Sequence, residues 1–207
     1  MTSPTPSPGP RRPSRSPQPL HERAAADLTF IRDTMARAGS FTAVPGWGGV
    51  AMGLTAVVAG WLASRRPEPM EWLAIWLAEA VIAVGVGGIF LVRKAAATGA
   101  QVTSRAARLF AAGFAPPMAA GVVLTPVLVR ADQFALLPGL WLLLYGAAVT
   151  AAGAFSVPVV PVMGAAFMLL GAVALVVAPA GGDLFLVLGF GVAHIVAGLI
   201  IARRYGG

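Results

Sequence analysis

Cysteine is absent from this chain of 207 residues. Disulfides, thiolate nucleophiles and Cys-based zinc sites are therefore excluded. Histidine occurs only at His21 and His194, which excludes a His-rich metal site, and lysine only at Lys94. Charge is scarce: Asp, Glu, Lys and Arg make up 11% of the sequence, against about 25% in a typical soluble domain. With 57% of the residues hydrophobic, a soluble core of this size would leave apolar side chains uncovered. The signatures of soluble catalysis are missing too: no P-loop, no GxGxxG with its acidic partner, no HExxH and no GxSxG. No cofactor or metal site is expected, and no catalytic constellation can be named.

What the chain does have is apolar length. A membrane-crossing helix needs about 20 mostly apolar residues. Stretches of that kind lie at 45–63, 72–92, 109–129, 134–154, 158–178 and 184–202. The expected fold is all-α: a polytopic membrane protein with a six-helix domain over 45–202. The breaks carry charge or turn chemistry, except the fourth. No charged residue falls between Gln133 and Gly182, and Pro158 and Pro161 supply the break there. Residues 95–108 could form a short helix of their own. Strands of a membrane barrel would alternate polar and apolar, and these segments do not.

Two segments precede the spans. Residues 1–19 hold seven prolines among Ser, Thr and Arg and read as a disordered tail. In 20–38, Leu20, Ala24, Leu28, Ile31 and Met35 recur at helical spacing, with charged residues largely elsewhere on the wheel. That predicts an amphipathic helix at the membrane interface, with docking of a partner helix as the competing reading.

The net charge is +7. Because the basic residues flank apolar segments, the expected partner is the lipid bilayer and not nucleic acid. With the N-terminus in the cytoplasm, twelve of the fifteen Lys and Arg fall on the inner side, so both termini are expected there. A protein partner or a homo-oligomer is left open.

Two ionisable residues lie inside the spans, Glu79 in the second and His194 in the sixth. A charge at mid-span costs roughly 2.5–3.5 kcal/mol, so such a side chain tends to face the bundle interior and find a partner. Ala83 and Gly87 share a face with Glu79, and Gly191 and Gly198 with His194, which points to close helix approach. At about 1.5 Å per residue the two depths differ by about 5 Å. A Glu79–His194 pair is the sharpest candidate site. It would serve as a proton-responsive centre, a small-solute or cation site, or a structural hydrogen bond between helices 2 and 6. Gly49 and Gly53 form a GxxxG packing motif. Prolines 116, 117 and 126 would kink helix 3. Trp47, Trp61, Trp72 and Trp141 fall near span ends as interfacial anchors. Residues 45–57 and 161–173 match at six of thirteen positions, which would make helices 1 and 5 parallel repeats.

The stretches LTFIRDTMARAGS (28–40), FTAVPGWGGVAMGLTA (41–56), WLLLYGAAVTAAGAFSVPVVPVMGAAFMLLGAVAL (141–175) and HIVAGLIIARRYGG (194–207) resemble a family of uncharacterised small bacterial multi-pass membrane proteins. The resemblance implies a bacterial inner-membrane location and transfers no functional residue. Function is expected chiefly among non-enzymatic classes: proton-linked or small-solute transport or sensing, or a membrane scaffold binding a cytoplasmic partner through 20–38. An intramembrane enzyme relying on Glu79 or His194 is a third class.

Overall fold

The computed structural model describes residues 27–28, 44–99, 101–177 and 181–206. The chain divides into two units, Met1–Ala38 and Gly39–Gly207. In the first, Asp27 and Leu28 are described, and both are helical. The expected tail over 1–19 and most of the expected 20–38 helix lie outside the described residues.

The second unit is all-helical, and six of its helices are long and apolar enough to cross a membrane. They are α1 Gly46–Ala63, α2 Pro69–Thr98, α3 Arg105–Arg130, α4 Leu137–Gly153, α5 Val159–Val177 and α6 Gly182–Tyr205. A 3-10 turn, Phe134–Leu136, leads into α4. Each expected span is found. The uncharged joint is real: α4 stops at Gly153 and α5 starts just past Pro158.

The expected separate helix at 95–108 is not formed. α2 continues through Arg93 and Lys94 to Thr98, where Gly99 takes a left-handed φ of 67° and ends it. α3 then begins at Arg105, capped by the Ser104 hydroxyl accepting from the Ala107 amide at 3.1 Å. Hydropathy marks where lipid ends, whereas caps mark where the helix ends. α3 remains one helix through Pro116, Pro117 and Pro126.

Two antiparallel pairs, α1 with α6 and α4 with α5, dominate the packing. Both seams carry glycine every seven residues, two turns apart and so on one face. Gly46, Gly53 and Gly60 of α1 run along α6, which bears Gly191 and Gly198. Gly139, Gly146 and Gly153 of α4 run along α5, which bears Gly164 and Gly171. A Cβ on Gly53 would stand 2.6 Å from the Gly191 carbonyl oxygen, and one on Gly146 would stand 2.7 Å from that of Gly164. Each glycine costs a helix about 1 kcal/mol relative to alanine. Close backbone packing, the main cohesive force between helices in lipid, offsets it.

The seams also share a register. Gly46 and Gly53 face Ala202 and Ile195, and Gly139 and Gly146 face Leu175 and Met168. In this pairing α1 matches α4 and α6 matches α5. The exchanged pairing matches as well, with Gly164 and Gly171 facing Thr150 and Leu143 as Gly46 and Gly53 face Ala202 and Ile195. The sequence match between 45–57 and 161–173 likewise sets helix 1 against helix 5. By contrast α2 and α3 are exposed along most of their length, as lipid-facing helices are.

Candidate functional site

Glu79 lies on α2 and is 7% exposed. Its Oε1 is 2.9 Å from the Thr55 hydroxyl of α1. The same hydroxyl donates toward the Met52 carbonyl at 2.8 Å. Among the described residues, Thr55 is the side chain that holds Glu79.

His194 is 5% exposed and sits deep in the bundle. Its Nε2 is 2.7 Å from the Tyr145 hydroxyl of α4. Aromatic rings close the surroundings. Tyr145 and Phe190 stand with centroids 5.1 Å apart, and the Phe167 ring lies 5.2 Å from the imidazole. Phe114 of α3 meets Tyr145 edge-on at 5.9 Å. The other ring nitrogen, Nδ1, is buried and has no hydrogen-bond partner among the described residues. A neutral imidazole offers one donor and one acceptor, so one of its two polar positions is left unsatisfied here. Buried polar atoms of that kind are few in native proteins.

The backbone leading to His194 is unusual as well. Val187–Ala193 forms a π-helix inside α6, flanked by ordinary α-helix. Such wide turns concentrate at functional sites because they loosen the hydrogen-bond ladder. Gly189 and Gly191 fall within it. A Cβ at Gly189 would come 2.4 Å from Leu142, so this wide turn too depends on glycine to pack. With α6 matched to α5, His194 occupies on α6 the place that Phe167 occupies on α5.

The expected direct pair between Glu79 and His194 is not formed. Glu79 bonds Thr55, and His194 bonds Tyr145. The physical reason is α1. Gly49 and Gly53 face α6, with the His194 carbonyl oxygen 3.4 Å from a Cβ placed on Gly49. Thr55, two residues beyond Gly53, points about 200° round the helix to α2. The two ionisable groups therefore sit on opposite sides of α1. Similar depth fixed their height but not their direction.

Two further polar centres escaped the sequence reading. Lys94, 6% exposed, donates to the carbonyls of Val44 at 2.9 Å, Tyr205 at 3.3 Å and Gly206. Its three protons thus tie α2 to the entrance of α1 and the exit of α6, where the carbonyl end of a helix favours a cation. At the opposite end, Asp183 Oδ1 accepts from the indole N–H groups of Trp72 at 2.7 Å and Trp76 at 3.2 Å. Trp72 also stacks on Trp141 at 5.8 Å. The available signal was the Trp72/Trp76 spacing of four, which puts two donors on one face of α2.

Comparison with family models, curated proteins and solved structures returns no match to this chain.

Proposed function

We propose that this multi-pass membrane protein is a proton-responsive sensor or transporter of the bacterial inner membrane, non-enzymatic, with both termini cytoplasmic. The orientation rests on the distribution of Lys and Arg, and the location on the sequence resemblance. The observation that carries the functional reading is His194: buried, bound at Nε2 by Tyr145, bare at Nδ1, and placed at the end of a π-helix.

Protonation would put an N–H on both ring nitrogens. Tyr145 could then only accept, so its own proton would need a new partner. The second N–H would turn to the carbonyls of Gly189 and Phe190, five and four residues back along α6. Both belong to the wide turn. The same turn presents the Gly191 carbonyl to Gly53 of α1, so a shift there reaches α1 and, through Thr55, Glu79. In this reading Glu79 is a second protonatable group, coupled to His194 through α1 without touching it.

The test is hydrogen exchange of 187–193 in proteoliposomes between about pH 8 and about pH 4. A pH-dependent change in protection is expected in the parent chain. It should vanish in His194→Gln and shift in Tyr145→Phe, with thermal melts showing that both variants fold. A change that survives in a folded His194→Gln protein, or no change in the parent, overturns the proposal.

A further inference from the structure

A second site lies at the end of the bundle that carries the α1–α2 connection. A recess of about 310 Å³ opens there between α1 and α6. Trp61, Ser64 and Asp183 provide its polar and aromatic lining, and Val57, Leu184 and Val187 its apolar floor. Asp183 directs Oδ1 to the two indoles of α2. Its other oxygen has no partner among the described residues. Ser64 donates to the Trp61 carbonyl at 3.0 Å, which leaves the hydroxyl oxygen able to accept.

Beside this acceptor set stands a cation. The Arg65 guanidinium lies 3.7 Å from the centroid of the Trp61 ring and has no carboxylate partner among the described residues. Arg66, next in sequence, is paired with Glu71 at 3.3 Å. One wall of the site is thus anionic and aromatic, and its rim is cationic. Carboxylate with indole suits an alkylammonium group. A guanidinium suits a phosphate. The apolar floor continues into the lipid-facing surface of α1 and α6.

We propose that this recess binds the head group of a zwitterionic, ammonium-bearing phospholipid, its ammonium on Asp183 and Ser64 and its phosphate on Arg65. Charge complementarity selects this occupant: an anionic lipid would meet the Asp183 carboxylate, and a simple cation would leave Arg65 unused. The site is independent of His194 and Glu79.

The experiment is native mass spectrometry of the full chain, released from detergent with equal amounts of phosphatidylethanolamine and phosphatidylglycerol of matched acyl chains. Retention of the ethanolamine lipid should exceed that of the glycerol lipid at least about fivefold, a difference of about 1 kcal/mol. Asp183→Asn keeps an oxygen for the two indoles and removes the charge, so it should fold and lose the preference. Arg65→Gln should weaken retention of both lipids while keeping their order. Equal retention of the two lipids overturns the proposal, as does an unchanged preference in Asp183→Asn. Displacement by free ethanolamine, at concentrations comparable to the lipid, would mean that the recess takes small amines and would overturn the lipid assignment. If Asp183→Asn melts early, Ser64→Ala, which removes the other ammonium ligand, replaces it, and the preference should fall there too.

Discussion

Thr55 has one hydroxyl proton and three acceptors within reach, the Met52 carbonyl at 2.8 Å, Glu79 Oε1 at 2.9 Å and the Ala51 carbonyl at 3.3 Å. The hydroxyl is shared between the backbone of its own helix and the carboxylate oxygen, and among the described residues it is what ties Glu79 to α1. Thr55→Val should cost about 1–2 kcal/mol, because it leaves a buried carboxyl without a partner. In a Glu79→Leu background the same change should cost close to nothing. Reversible unfolding of the four proteins in mild detergent checks this. Equal costs in both backgrounds would show that the pair carries no coupling.

The glycine seams make a contrasting pair of predictions. Gly146→Val should lower stability by about 1–3 kcal/mol, since even a Cβ there meets the Met168 amide nitrogen at 2.6 Å. Gly88 lies in α2 with nothing within 4 Å of an added Cβ. Gly88→Ala should be neutral or stabilise by up to about 1 kcal/mol through helix propensity. Melting temperatures of the two variants side by side decide it. A seam reading fails if Gly146→Val melts with the parent.

Lys94→Met should leave the Val44, Tyr205 and Gly206 carbonyls without their shared donor, at a cost of about 1–3 kcal/mol. Removing residues 205–207 deletes two of those acceptors. Lys94→Met should therefore cost less in the truncated chain than in the full one. Thermal unfolding of the cycle measures the difference, and additive losses would argue that the three contacts are incidental.

The surface pair Arg66–Glu71 should matter little. Its side chains are more than half exposed, and such pairs contribute about 0–1 kcal/mol. Glu71→Gln should shift the midpoint of unfolding by no more than the error of the measurement, and a large loss would mean that the α1–α2 connection is held in a way not described above.

The spans were legible because lipid demands a long apolar run, and a sequence shows that directly. The turn at Pro158 was legible because proline interrupts a helix whatever surrounds it. Lys94 was not, because its partners are backbone carbonyls 50, 111 and 112 residues away, and carbonyls leave no mark in composition. It reads as one more cytoplasmic charge. Glu79 and His194 stood out as ionisable residues inside apolar spans, and both are buried. Their partners were missed because depth along a helix is readable from sequence while the direction a helix turns to its neighbours is not. The glycine heptads stood in plain view at 46, 53 and 60, and again at 139, 146 and 153, yet only Gly53, Gly191 and Gly198 of the first seam, and none of the second, read as packing positions. A residue so frequent in this chain hides its own periodicity.

The wide turn at Val187–Ala193 amounts to roughly one residue inserted into α6. Eleven residues separate Asp183 from His194. At about 100° per residue an unbroken α-helix would bring them within about 20° of the same azimuth. The inserted residue adds a phase offset of about a quarter turn, so that one end of α6 addresses the tryptophans of α2 while the middle addresses Tyr145 of α4. Deleting a single residue from the wide turn would leave ten steps of regular α-helix, about 1,000°, which keeps the same quarter-turn offset. The wide turn is thus what lets α6 carry one residue more than its two bearings require.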